Sequence, residues 1–408
     1  MSYPLEVSHQ PLETSQQPAL ALTSAKRSPL WLLALITLTG TLAMHIFVPA
    51  LPAAAQDLAA SASSVQLTLS FYIAGLAIGQ LIYGPVSDCF GRRPVLIFGM
   101  VVYAVSSIAA FVAPTIETLI IARLFQALGG CSGLVLGRAI IRDSVAGNDA
   151  AKRLSMLNLI IMAGPGLAPL VGSALTEGFS WRSIFGLLSI FGVLNVILVF
   201  FLLRETVRVA SHTTSVIHNY IHLIKSRRFL GYAFGGGCAT TSTYAFIGAA
   251  PFIFVNQLHR SAHEVGFYLA LNILGVWFGN LTAVRLIGRI PVVRLMVGGN
   301  ALSCIGAAIF FISAMSGNLS MTLTIVPILI LTYGAGIASP TAMAEALNVN
   351  PDISGSSSGL YGFVQMAVGA ICTALAGIGS NPALAAGTTL LVAGTIAQLS
   401  FWIAQRDE

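Results

Sequence analysis

The sequence predicts an all-α membrane protein: twelve transmembrane helices in two six-helix halves, with both termini cytoplasmic. Three observations predict it. Of 408 residues, 56% are hydrophobic and 8% charged, whereas a water-soluble domain carries about a quarter charged residues. The apolar residues are gathered into twelve successive runs. Lys and Arg concentrate in alternate connections between those runs, the bias that orients membrane helices.

The first six runs lie at about 30–51, 65–84, 95–113, 118–140, 154–175 and 183–203. A polar stretch from Arg204 to Arg228 follows, and six more runs lie at about 229–254, 266–287, 293–314, 322–345, 356–378 and 384–404. Each is long enough to cross a hydrocarbon core of about 30 Å as a helix, and a helix satisfies its backbone groups within the segment, as lipid demands. The expected organisation is a disordered cytoplasmic tail at 1–29, an N-terminal half at 30–203, a cytoplasmic linker at 204–228 and a C-terminal half at 229–408. The tail is polar, with scattered Pro, Gln and Ser, and shows no basic n-region or A-x-A site of a signal peptide. With the N-terminus inside, every Lys and Arg except Arg123, Arg182 and Arg260 falls on the cytoplasmic side or in the tail, Arg138 included.

Composition also excludes classes. A disordered chain, a collagen-like repeat and a secreted disulfide scaffold are all incompatible with it. The net charge of +6 and pI near 9.2 reflect cytoplasmic loops and give no argument for nucleic acid. The five cysteines, Cys89, Cys131, Cys238, Cys304 and Cys372, form no CxxC pair and read as small buried hydrophobes, with no metal site. No G-x-x-x-x-G-K-[ST] string occurs and the chain has only three lysines, so nothing supports ATP hydrolysis. No H-E-x-x-H cluster supports an intramembrane hydrolase. The expectation is a non-enzyme without cofactor.

The halves echo each other. Gly91-Arg92-Arg93-Pro94 follows the second run, and Gly288-Arg289-Ile290-Pro291 follows the eighth. In that register Asp88 aligns with Arg285, so the second copy lacks the acid. Six plus six spans joined by a polar linker is a duplicated transporter plan, with halves related about an axis along the membrane normal.

The segment Gly84-Pro-Val-Ser-Asp88-Cys-Phe-Gly91-Arg92-Arg93-Pro94 resembles the signature loop of the major facilitator superfamily, G-x-x-x-D-(R/K)-x-G-R-(R/K), with Cys89 in place of the first basic residue. Glycines there permit a tight turn, and Asp88 can pair with Arg92. The resemblance implies that this acid and base, with an acid at the inner end of span 4 matched by Asp143, latch the outward-facing state. Leu124-Phe-Gln-Ala-Leu-Gly-Gly130 after Arg123 is similar to the span 4 motif of drug exporters. Gly164-Pro165-Gly166-Leu-Ala-Pro169 with Gly172 is similar to the antiporter motif of span 5, where small residues permit close contact and Pro permits bending. Together with Val48-Pro49-Ala50-Leu51-Pro52, Gln66-Leu-Thr-Leu-Ser70, Trp181-Arg182-Ser-Ile-Phe185 and Glu205-Thr206, these resemble the Bcr/CflA group of bacterial drug-resistance transporters. In the second half the likeness is looser, mainly spacing and Pro340.

One departure stands out. Four residues before Pro49, that group usually carries an embedded Asp used for substrate and proton; here the position holds His45. No Asp or Glu falls near the centre of any run. His45 and Arg123 are therefore the candidates for substrate and proton coupling, since ionisable groups within the membrane are costly and functional by default. Each also has a structural reading, as a hydrogen-bonded packing residue. Tyr72, Tyr244 and Trp277 are candidates for an aromatic cavity wall. The resemblance implies a monomer in the inner membrane that exports small lipophilic molecules in exchange for protons. Its partners would be the substrate, protons and the lipid bilayer, with no nucleic acid. The alternative is a facilitator or metabolite transporter of the same fold without proton coupling.

Overall fold

A computed structural model describes residues 29–144, 147–205, 213–350 and 353–406. The chain runs as helices α1 (Leu30–Ile46), α2 (Leu51–Asp57), α3 (Ala62–Phe90), α4 (Arg92–Phe111), α5 (Ile116–Ser144), α6 (Gly147–Gly178) and α7 (Trp181–Leu202). It continues as α8 (Thr213–Lys225), α9 (Arg227–Thr240), α10 (Thr243–Phe252), α11 (Ala262–Leu286), α12 (Val292–Met315), α13 (Met321–Asn348), α14 (Ser354–Ala376) and α15 (Pro382–Arg406). Eleven segments are long and apolar enough to cross a membrane among the described residues, counting α1 with α2 and α9 with α10. The 32-residue α6 contains the remaining run of the twelve. The expected tail, apart from Pro29, lies outside the described residues, as does part of the linker. The described linker segment is a helix, α8, that buries Leu223 and leaves Ile221 and Ile224 exposed.

The helices overrun the apolar runs, which corrects the reading of the signature segment as a loop. Gly84 to Phe90 forms the last turns of α3, and the chain reverses at Gly91 alone, at φ +92°. Arg142 and Asp143 likewise complete α5. A single glycine suffices because only a residue without Cβ enters that backbone region cheaply.

The duplication is visible in the packing. In the N-terminal half α5 packs on α1, α3 and α4, and α4 on α7; in the C-terminal half α13 packs on α9, α11 and α12, and α12 on α15. The halves meet chiefly through α3 with α14 and α6 with α11, two pairs which exchange under the same two-fold. The echo of the Gly-Arg turn extends to a positive φ at Gly288, +89°, although α4 begins directly after Gly91 and α12 only at Val292.

Two spans are broken where the halves face each other. Pro49 and Pro52 cannot continue α1, so a 3-10 turn, Val48–Ala50, interrupts the first span. The span that opens the second half breaks at Thr241–Ser242, between α9 and α10, and ends in a π-helical turn, Ile253–Gln257. Irregular backbone at membrane depth is tolerated where protein or a cavity surrounds it.

Candidate functional site: a cavity between the halves

A cavity of about 370 Å³ lies between the halves. The N-terminal half contributes Thr41 and His45 from α1, Arg138 from α5 and Pro165 from α6. The C-terminal half contributes Thr240, Thr241, Thr243, Tyr244 and Phe246 around the broken span, Asn272 and Trp277 from α11, residues of α13, and Gln365 from α14. Gln365 is tied to the break, its Nε2 donating to Thr240 Oγ1 at 2.8 Å while Thr241 Oγ1 donates to its carbonyl at 2.6 Å. The wall is thus largely apolar and aromatic with a few placed polar groups, the usual make-up of a small-molecule site.

His45 stands at the end of this cavity away from the Gly91 turn. It is buried, and its Nδ1 lies 2.9 Å from the Thr41 carbonyl. A carbonyl only accepts, so Nδ1 carries hydrogen and Nε2 is the nitrogen left to gain or lose a proton. The ring stands at 62° to Tyr244, with centroids 6.3 Å apart. Beyond it, His45, Val48, Pro165, Pro169, Ile247, Leu269 and Ile273 close around a residual pocket of about 10 Å³. At the same end Ser63 donates to the Gly377 carbonyl, closing α3 on α14.

The glycines and prolines between Gly164 and Gly172 set this position. A Cβ at Gly164 would meet Leu38, and one at Gly172 would overlap the Ile46 carbonyl. The glycines of α6 therefore let it lie directly against the last turns of α1. Pro165 and Pro169, inside the same helix, face the cavity and the small pocket.

Arg123 sits elsewhere. It is fully buried within the N-terminal half, and the cavity wall does not include it. Its Nη1 donates to the Ala43 carbonyl at 3.0 Å and to Gln126 Oε1 at 2.6 Å. Its guanidinium lies 4.0 Å from the Tyr72 ring centre and 5.3 Å from that of Phe47. Ala43 belongs to the last turn of α1, whose carbonyls lack helical partners, so Arg123 caps that helix from across the half. Tyr72 is likewise corrected from cavity wall to cage wall, its hydroxyl donating to the Gly40 carbonyl at 2.7 Å. Tyr244 and Trp277 do line the cavity.

The acids and the arginine expected to form a latch, Asp88, Asp143 and Arg92, lie in contact. Arg92 Nη1 is 2.6 Å from Asp88 Oδ1, and its Nε donates to Asp143 Oδ2 at 3.0 Å. One guanidinium thus joins α3, α4 and α5. Glu205, after α7, was not counted in this group by sequence reasoning. Its carboxylate accepts from the Arg92 and Arg93 amides at 2.9 and 3.0 Å, two of the donors that a helix N-terminus leaves free. Arg93 Nη2 donates to the Phe200 carbonyl at 2.7 Å. Gly84 faces a second chamber, of about 380 Å³, bordered by Asp88, Arg92, Arg142, Asp143, Tyr220 of α8 and the first turns of α14. Burial and the nearby Asp88 push the Tyr220 phenol above its ordinary value, so it remains an O–H donor there.

Arg138 is a residue whose place in the site sequence reasoning missed. Counted among the cations of the cytoplasmic side, it is half-buried and borders both chambers. The signal was present: it falls inside the apolar run at about 118–140, as Arg123 does.

Residues 33–374 match the profile of the Major Facilitator Superfamily. An uncharacterized MFS-type transporter of Bacillus subtilis is 32% identical over 378 residues, covering 91% of this chain and 94% of the relative. A bicyclomycin resistance protein homolog of Haemophilus influenzae is 28% identical, covering 84% and 87%. Multidrug resistance protein D of Escherichia coli is 28% identical, covering 82% and 85%. Among solved structures a D-xylose-proton symporter superposes with a TM-score of 0.74 at 14% identity, covering 92% and 96%. A bacterial homolog of the lysosomal transporter Spinster, inward-facing and unoccupied, superposes with a TM-score of 0.73 at 14% identity, covering 93% and 97%. At such identities the structures share the fold alone. With two six-helix halves enclosing a cavity between them and a family match across most of its length, this chain belongs to the Major Facilitator Superfamily of multi-pass membrane transporters.

Proposed function

We propose that the chain is a monomeric proton-coupled exporter of small lipophilic compounds, working by alternating access across the bacterial inner membrane, with His45 as its proton site. In this reading the end bearing the Gly91 turn and the basic residues is cytoplasmic. The cavity is closed beyond His45 and meets the chamber at the basic end.

The observation that carries the reading is His45 itself. It is the titratable side chain at the closed end of the inter-half cavity, and no Asp or Glu lines that cavity. An imidazole changes charge near neutral pH, so it can carry a proton where the drug-exporter group places a carboxylate. The relatives described as multidrug and bicyclomycin resistance proteins support the substrate class. The cavity presents no fixed negative charge, and an unpaired cation in a low-dielectric cavity is disfavoured. Neutral, phenicol-like or weakly acidic compounds are therefore expected ahead of quaternary ammonium dyes.

In everted vesicles loaded by a pH gradient, wild type should accumulate substrate uphill. His45→Ala should abolish that accumulation while downhill exchange partly survives. Unchanged uphill transport in His45→Ala would remove His45 from the mechanism. The missing carboxylate also favours a second reading, an uncoupled facilitator; transport indifferent to an uncoupler would select it.

A further inference from the structure

The central cavity and the chamber at the basic end share one charged side chain, Arg138. Its Nε is buried without a hydrogen-bond partner, and the charged group acting on it is another cation, Arg142, one turn along α5. A guanidinium in low dielectric is strongly disfavoured unless an anion meets it, and its planar fork matches a carboxylate in two-point contact. The acids of the chamber are already committed, since Asp88 and Asp143 both engage Arg92. The cavity offers none.

The backbone adds to the same sign of potential only at the chamber. Gly355 and Ser356, in the first turn of α14, border it and present the positive end of that helix. At the cavity, by contrast, Thr240 closes α9 and Thr243 opens α10, so the two dipoles oppose. Opposite Arg138, Tyr244, Phe246 and Trp277 supply an apolar and aromatic surface.

The geometry points to Arg138 as the carboxylate anchor of the transport site: an amphiphilic organic acid enters through the chamber as its anion, pairs with Arg138, and lays its apolar body on the aromatic wall. This rests on the reading of the cavity as an exporter's substrate site and narrows the substrate class within it.

The test uses the full-length chain in nanodiscs and two fluorescent probes of one shape, dansylglycine and its primary amide. Wild type should bind the carboxylate about tenfold tighter than the amide. Arg138→Gln should lose that preference while keeping the amide affinity, and Arg138→Lys should retain part of it. Equal binding of the two probes by wild type overturns the anchor, as does a preference that survives in Arg138→Gln. Uptake of both probes into everted vesicles is measured alongside. Proton-driven uptake of the amide with no carboxylate preference overturns the anchor and leaves the exporter reading standing. An Arg138-dependent preference without proton-driven uptake supports the anchor and overturns the exporter reading.

Discussion

At the scale of single residues, the two arginines of α5 show how one side chain acquires different work from its surroundings. Arg123 is enclosed by aromatic rings, with its charge spread over the Tyr72 and Phe47 faces and its Nη1 bonded to Ala43 and Gln126. A planar guanidinium can stack and donate at once; an ammonium on a flexible stem cannot. Arg123→Lys should therefore cost about 2 kcal/mol, seen as a lower thermal midpoint of the purified protein, with the neutral-substrate affinity of the surviving fraction unchanged. A lysine variant as stable as wild type would mean that the cage contributes little. Arg138, fifteen residues on, meets no such cage. The sequence placed both in or beside the same apolar run, and nothing in it separates them. α5 is apolar on all sides, so no hydrophobic face tells which residue turns inward.

Among elements, the pairing of α1 with α6 matters most for the site. Their contact is close because glycines stand where side chains would collide, and Gly172 lies against the carbonyl of Ile46, the residue after His45. Adding a methyl group must push the end of α1 away and displace the imidazole with it. Gly172→Ala is expected to cost about 1–3 kcal/mol of stability and to depress proton-driven transport more than substrate binding. Transport at the wild-type rate would show that α1 and α6 do not hold His45 in place. This contact was legible in the sequence because a motif marked it; the breaks at Thr241–Ser242 and in the π-helical turn were not. No proline precedes the first of these, since the Thr-Thr-Ser string carries only a weak preference against helix, and the packing of Gln365 on Thr240 and Thr241 decides it. The same limit explains Tyr72 and Tyr244. Both are tyrosines within apolar runs, and only the assembled neighbours assign one to a cage and the other to the cavity.

For the whole molecule, the charged cluster joining α3, α4 and α5 makes one corner of the N-terminal half a stiff unit. Rocking of one half against the other needs such units, because transport by alternating access moves bundles rather than single helices. Asp88→Asn should slow turnover by about tenfold while leaving substrate affinity intact, as measured by paired binding and transport assays on one preparation. If turnover is unaffected, Asp88 serves topology and not movement. Twelve spans and their pairing into halves were readable from run lengths and the repeated Gly-Arg turn. The asymmetry between halves was readable only as a missing acid.

That asymmetry gives the protein a built-in control. Gly91 and Gly288 hold matching positions with nearly the same φ, +92° and +89°, yet a Cβ at Gly91 would lie 2.7 Å from Glu205 Oε2, while one at Gly288 would meet nothing within 4 Å. Alanine at Gly288 therefore registers a backbone penalty alone, about 1–3 kcal/mol. Alanine at Gly91 registers its own backbone penalty together with displacement of the carboxylate capping α4. Glu205→Gln should therefore change the cost of Gly91→Ala and leave that of Gly288→Ala unaltered, as read by thermal midpoints.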